Sequence, residues 1–196
     1  AYGCDVKNPF FIKVTEENAN ENISSKLKFP LFIKPAKAGD SLGIDDDSLV
    51  NNESKLFEKI NLLLKEYDEL LVEEYIAGRE FTVLVAANTG SKDCTVYTPL
   101  EFVFSEGKQF KTYALKTSEL HRECNVPCKD DALSKQLMLA AARIFKEFNG
   151  VGYARMDFRV NDKKEIFFLE VNFSCSVFYD DGYEGSADYI LMNEHG

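Results

Sequence analysis

The chain has 196 residues, 45% of them hydrophobic and 16 of them Phe, which is enough apolar material for one ample domain or two lobes. Its formal charge of −10 comes without any cluster of Lys and Arg, which argues against nucleic acid and membrane surfaces as partners. No apolar run approaches the roughly 18 residues of a bilayer span, and Ala1-Tyr2-Gly3-Cys4-Asp5 is no secretory leader; with five scattered cysteines, a cytoplasmic protein with free thiols is expected.

Phe10 to Val14 reads as a short strand, 16–25 as a polar helix or loop, and 29–35 as a buried strand bounded by Pro30 and Pro35. Lys34 is a cation on that apolar strand and therefore needs an anionic partner. In the small-residue loop 36–44, Gly39 and Gly43 can expose backbone amides and Ser41 a hydroxyl, a pattern shared by phosphate cradles and ordinary turns. Asp40 inside the loop would repel phosphate unless it points away or engages metal. After an edge at 45–49, Asn52 or Ser54 can cap a helix whose Leu56, Phe57, Ile60, Leu63, Leu64 and Tyr67 form one apolar stripe. Strands are predicted at 70–76, 80–87 and 94–103, the first two joined by Ala77-Gly78-Arg79. Where the first of them ends, Glu73, Glu74 and Ile76 can offer backbone and carboxylate groups to an adenine, with Glu80 following; a solvated acidic turn is the alternative.

Residues 104–129 have little periodicity and read as a long connection. His121, Cys124 and Cys128 lie close together there, but no fourth ligand stands at a zinc spacing. Asp130 or Asp131 can start a second helix that buries Leu133, Leu137, Ala141, Ile144, Phe145 and Phe148 and ends at Gly150. Two strands follow, 152–159 and 167–172, joined by Asn161-Asp162-Lys163-Lys164. Side chains two apart share a face, so Arg155 lines up with Asp157 and Glu170 with Asn172, while Met156, Phe158, Leu169 and Val171 are expected to face a core. The oxygens of Asp157, Glu170 and Asn172 suit a hard cation such as Mg²⁺; a structural ion pair of Arg155 with Asp157 or Glu170 is the alternative. An aromatic loop and a helical segment near 187–192 close the chain. Without repeat or linker, two helix-plus-strand units are expected to sandwich one cleft.

Taken in order, the 29–35 strand with Lys34, the Gly39 to Gly43 loop, Glu73-Glu74-Tyr75-Ile76 running on to Val83, Arg155-Met156-Asp157-Phe158 and Leu169-Glu170-Val171-Asn172 are similar in order and spacing to the ATP-grasp superfamily. The chain most resembles its D-alanine:D-alanine ligase branch, from about residue 10 to about residue 178. The resemblance implies an α+β fold in which two lobes with antiparallel sheets clasp ATP. Residues 1–28 would lead in, 29–87 form the smaller lobe, and 88–196 form the larger lobe with the metal site. It further implies that Lys34 holds the phosphates under Gly39 and Ser41, that Glu73, Glu74 and Ile76 meet adenine with Leu169 also in the nucleotide site, and that Glu80 binds ribose. Asp157, Glu170 and Asn172 would hold Mg²⁺, or Mn²⁺ in its place. Arg155, Lys34 and Ser176 form the implied catalytic set, with Arg155 steadying the transferring phosphoryl group. The implied reaction joins a small carboxylate to an amine, amino acids by class, through an acyl phosphate with release of ADP.

The chain also departs from that branch. Phe173-Ser174-Cys175-Ser176 stands where a Ser-Pro-Gly type turn is usual, the 180–185 loop is unlike the usual acceptor site, and Ala38 and Asp40 replace Glu and Ser in the phosphate loop. Lys111, Tyr113 and Lys116 are the candidates for a lid pair. These departures leave open a ligase of another ATP-grasp branch or a nucleotide-binding module without catalysis. The branch's amino-terminal substrate domain and a further phosphate lysine are expected outside this sequence.

Overall fold

The computed structural model describes residues 3–19, 21–39, 41–104, 109–112 and 122–195. They fall into two compact bodies, a smaller one built on 9–75 with 109–112 and a larger one built on 3–8, 76–104 and 122–195. The expected boundaries at 28/29 and 87/88 do not coincide with this division. Strand 11–14 is hydrogen-bonded into the smaller body's sheet, and strand 79–87 is hydrogen-bonded into the larger body's sheet.

In the smaller body, β1 (Phe11–Val14), β2 (Leu31–Pro35), β3 (Leu49–Val50) and β4 (Leu70–Glu74) form an antiparallel sheet in the order β1-β4-β2-β3. Alternation along β2 buries Leu31, Ile33 and Pro35 and sends Phe32 and Lys34 to the other face. Helix α1 (Glu53–Leu63) packs Leu56, Ile60 and Leu63 into the same core. Of the two expected caps Asn52 acts, its side-chain oxygen accepting the Lys55 N–H at 3.0 Å. The helix stops before Tyr67, and residues 65–67 continue as turns onto the Leu62 and Leu63 carbonyls.

In the larger body, β5 (Arg79–Ala87) is central. It pairs with β9 (Tyr153–Val160) on one side and with both β6 (Cys94–Val96) and β7 (Leu100–Phe102) on the other; β10 (Ile166–Asn172) flanks β9 and β8 (Asn125–Pro127) flanks β7, all antiparallel. The predicted 94–103 strand is thus two strands, interrupted at 97–99, where Pro99 has no N–H to continue the ladder. β8 lies in the stretch read as connection.

Helix α2 (Asp131–Glu147) begins on Asp130, whose carboxylate accepts the Leu133 N–H at 3.1 Å. It ends where the N–H groups of Asn149 and Gly150 reach back to the Lys146 and Phe145 carbonyls at 3.0 and 2.8 Å, with Asn149 at φ 52°. Gly150 is required there, because a Cβ would lie 2.5 Å from the Phe145 ring. Leu137, Ala141, Ile144 and Phe145 of α2 pack with Phe81, Val83, Met156 and Phe158 of the sheet. Phe148, expected on the buried face, is 53% exposed because it is the C-cap, where the helix already turns away. Helix α3 (Ser186–His195) packs against β5 and β8. Among the described residues no helix is long and apolar enough to cross a membrane, and all five cysteines are free thiols.

Candidate active site

The larger body presents a polar sheet face opposite its core. On β9, alternation sends Ala154, Met156, Phe158 and Val160 into the core, and Arg155, Asp157 and Arg159 to the other side. On β5, Phe81, Val83 and Val85 point inward, leaving Glu80 and Thr82 on the face of Asp157. On β10 the register shifts: Phe168 pairs with Phe158 and Glu170 with Asp157, so Leu169 is the extra residue of a bulge. The expectation that Leu169 joins the core is therefore corrected; Ile166, Phe168 and Val171 pack there instead. Without the bulge, continuing from Phe168 opposite Phe158 would have turned Glu170 to the core face. With it, Glu170 stands opposite Asp157 and Asn172 opposite Arg155.

Asp157 is 6% exposed, whereas Glu170 lies open. The Arg155 guanidinium reaches both Asp157 carboxylate oxygens at 3.5 Å, longer than a normal N–H···O bond. Its Nε is buried with no hydrogen-bond acceptor among the described residues. The Asp157 carboxylate holds the Arg155 pKa above its ordinary value against the opposing effect of burial, and Glu170 adds to the effect. Arg155 is thus a charged group without a tight carboxylate fork, suited to an incoming anion.

The Asn172 carboxamide oxygen accepts the Ser174 N–H at 2.9 Å and the Ser174 hydroxyl at 3.4 Å, forming a local turn after β10. Among the described residues no three His, Cys, Asp or Glu side chains gather. Two opposed carboxylates, Asp157 and Glu170, are nevertheless a donor pair that fits Mg²⁺, which binds one or two carboxylates and completes its shell with phosphate oxygens and water.

One residue of this body, Arg159, was not singled out from the sequence. Arg159 donates to the Glu80 carboxylate at 3.0 Å and to the Ile76 carbonyl at 3.0 Å, and its guanidinium lies 5.8 Å from the Phe104 ring centre. Glu80, expected to bind ribose, is therefore buried in an ion pair. The signal was the spacing Arg155, Asp157, Arg159 along one strand face. Cys175 is buried, and that burial pushes its thiol pKa up while neighbouring Arg155 pulls it down. Ser176, next to it, is exposed.

In the smaller body, Lys34 finds its anionic partner in Glu73 on the neighbouring strand, at 3.0 Å, with both side chains little exposed. One of the residues expected at adenine is thus engaged with the residue expected at phosphate. Glu74 accepts the Lys28 N–H at 3.0 Å, fastening the approach to β2. Phe32, on the Lys34 face of β2, meets Phe110 edge-on at 4.9 Å, and the Tyr75 hydroxyl donates to the Gln109 carbonyl at 3.0 Å.

The small-residue loop closes on itself through Leu42 N–H to the Gly39 carbonyl and Ile44 N–H to the Ser41 carbonyl, both at 3.0 Å, with Ser41 at φ 58°. Its two glycines differ. Gly43, at φ 77°, lies so close to Pro35 that a Cβ would come within 2.7 Å, whereas a Cβ on Gly39 would meet nothing within 4 Å. Gly43 shapes the loop and Gly39 is its open position. Lys111 is buried, while Asp40, Tyr113, Lys116 and His121 lie outside the described residues.

The sequence model described as "D-ala D-ala ligase C-terminus" matches residues 7–175. The D-alanine--D-alanine ligase of Legionella pneumophila (strain Corby) is 34% identical over 156 residues, covering 76% of this chain and 42% of that protein. That of Fervidobacterium nodosum is 31% identical over 172 residues, covering 85% of this chain and 52% of that protein. Among solved structures, the VanG D-Ala:D-Ser ligase from Enterococcus faecalis superimposes with a TM-score of 0.67 at 26% identity, over 87% of this chain and 48% of that one. An ADP complex of purK, N5-carboxyaminoimidazole ribonucleotide synthetase, shares the fold with a TM-score of 0.67 at 15% identity, over 88% of this chain and 42% of that one. The chain spans about half or less of the length of these relatives.

Proposed function

The chain belongs to the D-Ala-D-Ala ligase carboxy-terminal family of ATP-grasp proteins, and from that premise we propose that the whole protein is an ATP-dependent carboxylate–amine ligase. The observation that carries this reading is the opposition of Asp157 and Glu170 on one sheet face, with Arg155 charged beside them and not closed into a tight fork. A carboxylate is a poor acyl donor at neutral pH. Its oxygen first bonds to the γ-phosphorus of ATP as the bond to the ADP oxygen breaks, giving an acyl phosphate. The amine nitrogen then bonds to the carbonyl carbon, the C–O bond to phosphate breaks, and the nitrogen gives up a proton.

Arg155 offsets charge on the transferring phosphoryl group and then on the tetrahedral oxyanion, where fixed charge is most effective. Ser176, exposed in the segment that follows β10, is assigned to the oxyanion step. In the smaller body, Lys34, oriented by Glu73, binds phosphate oxygens together with Ser41 and the open backbone at Gly39. Glu73, Glu74, Ile76, Glu80 and Leu169 form the nucleotide set. Asp157 and Glu170, with the Asn172 amide oxygen, would hold Mg²⁺ or Mn²⁺, which when bound neutralises polyphosphate charge. The substrates are assigned to small amino acids, in keeping with relatives named D-alanine--D-alanine ligase and D-Ala:D-Ser ligase.

The test is release of ADP and phosphate by the full-length protein, with and without Mg²⁺, over pairs of D- and L-amino acids. Release that requires both the cation and an amino acid is expected. ATP binding without turnover for any pair would make the protein a nucleotide-binding module, and absence of ATP binding would overturn the site as assigned.

A further inference from the structure

The polar face of β9 carries one more charged residue than the proposed chemistry uses. Arg159 is 3% exposed and stands directly opposite Glu80 in the β5–β9 register. One guanidinium nitrogen donates to the Glu80 carboxylate and the other to the main-chain carbonyl of Ile76, each at 3.0 Å. A planar fork that spans two acceptors fixes both at once, which a point charge on a flexible stem does not do. Both acceptors belong to residues assigned to the nucleotide: Ile76 at adenine and Glu80 at ribose. Burying such a pair is costly, and breaking it leaves an uncompensated charge, so the arrangement is a poor source of stability compared with apolar packing. Its physical consequence is orientation.

We propose that Arg159 is a positioning residue for nucleotide recognition, its guanidinium holding the Glu80 carboxylate and the Ile76 backbone in one fixed geometry so that β9 sets the ribose contact as well as presenting Asp157. This inference rests on the assignment of Glu80 to ribose. Arg159 itself touches the protein groups and leaves the ribose hydroxyls to Glu80. Because Glu80 approaches those hydroxyls from a buried, pre-oriented state, discrimination between ATP and an analogue lacking them reports on the fork.

The experiment compares the affinity of the full-length protein, in Mg²⁺, for ATP and for 2′,3′-dideoxy-ATP, in the wild type, Glu80→Gln, Arg159→Gln and the double variant. The wild type is expected to prefer ATP by about tenfold or more, as for a hydrogen bond to a charged group. Each single change should remove most of that preference, and the double variant should lose no more than either one. An unchanged preference in Glu80→Gln would overturn the ribose assignment and the inference with it. Loss in Glu80→Gln with full preference kept in Arg159→Gln, or losses that add fully in the double variant, would overturn the positioning role and leave the ribose assignment standing. Should Arg159→Gln fail to fold, Arg159→Lys is measured the same way: its single ammonium cannot span both acceptors, so most of the preference should go, and full preference would overturn the inference.

Discussion

Lys34 and Glu80 are both charges on largely buried strand positions, and in each case the partner stands on the neighbouring strand, Glu73 for Lys34 and Arg159 for Glu80. That Lys34 needs an anion follows from the sequence, since a cation flanked by Phe32, Ile33 and Pro35 cannot be left unpaired. Which anion supplies it depends on the β2–β4 register, which no local pattern specifies. Lys34→Met should therefore cost about 3 kcal/mol by leaving the Glu73 carboxylate buried without its cation, and adding Glu73→Leu should restore much of that loss. Urea unfolding of the two variants checks this, and equal losses in single and double variants would contradict it. Asp130 gives a pH signature. The Leu133 N–H, and next to it Lys164, hold its carboxyl below the usual carboxylate range. A depressed folded-state value means that its stabilisation is present above the unfolded-state pKa and fades as pH falls through the folded-state one. The melting-temperature advantage of the wild type over Asp130→Asn should accordingly be seen at neutral pH and disappear in acid, followed by thermal melts across pH.

At the scale of the element, the two long helices are the parts most plainly written in the sequence, because the 3.6-residue spacing of Leu56, Ile60 and Leu63, or of Leu133, Leu137, Ala141 and Ile144, has enough turns to be counted. β6, β7 and β8 have three residues each, too few to show a period, and so read as one strand or as none. The bulge on β10 was hidden for another reason: Phe167, Phe168 and Leu169 are consecutive apolar residues, and nothing in such a run marks where the alternation slips. Leu169, released from the core by that slip, should tolerate Leu169→Ala with less than about 1 kcal/mol lost from stability. The same change should weaken ATP binding if the residue belongs to the nucleotide set, and an unchanged affinity would remove it from that set. The end of α2 predicts the opposite balance. Gly150→Ala drives a methyl into the Phe145 ring and should cost about 1–3 kcal/mol in thermal unfolding without a specific effect on nucleotide affinity.

At the scale of the whole molecule, the family could be read because five short motifs fall in a fixed order, although each alone also fits a plain structural role. The division of the chain could not. Residues 3–8 join the larger body through the bridge of Lys7 to Phe167 and the Lys7–Glu165 pair, contacts across more than 150 residues of sequence that local reasoning does not reach. The amino acids to be joined are equally beyond it, since the chain covers about half or less of its relatives and departs from the branch at Cys175 and the loop that follows. At the centre of the proposed function is a cation held between β9 and β10 by Asp157 and Glu170. Calorimetric titration of the full-length protein with ATP, with and without Mg²⁺, in the wild type and Glu170→Gln, tests that claim most directly. Mg²⁺ should tighten ATP binding in the wild type, and Glu170→Gln should lose about tenfold or more of that gain while keeping its melting temperature; ATP affinity indifferent to Mg²⁺, or a gain left whole in Glu170→Gln, would contradict the account.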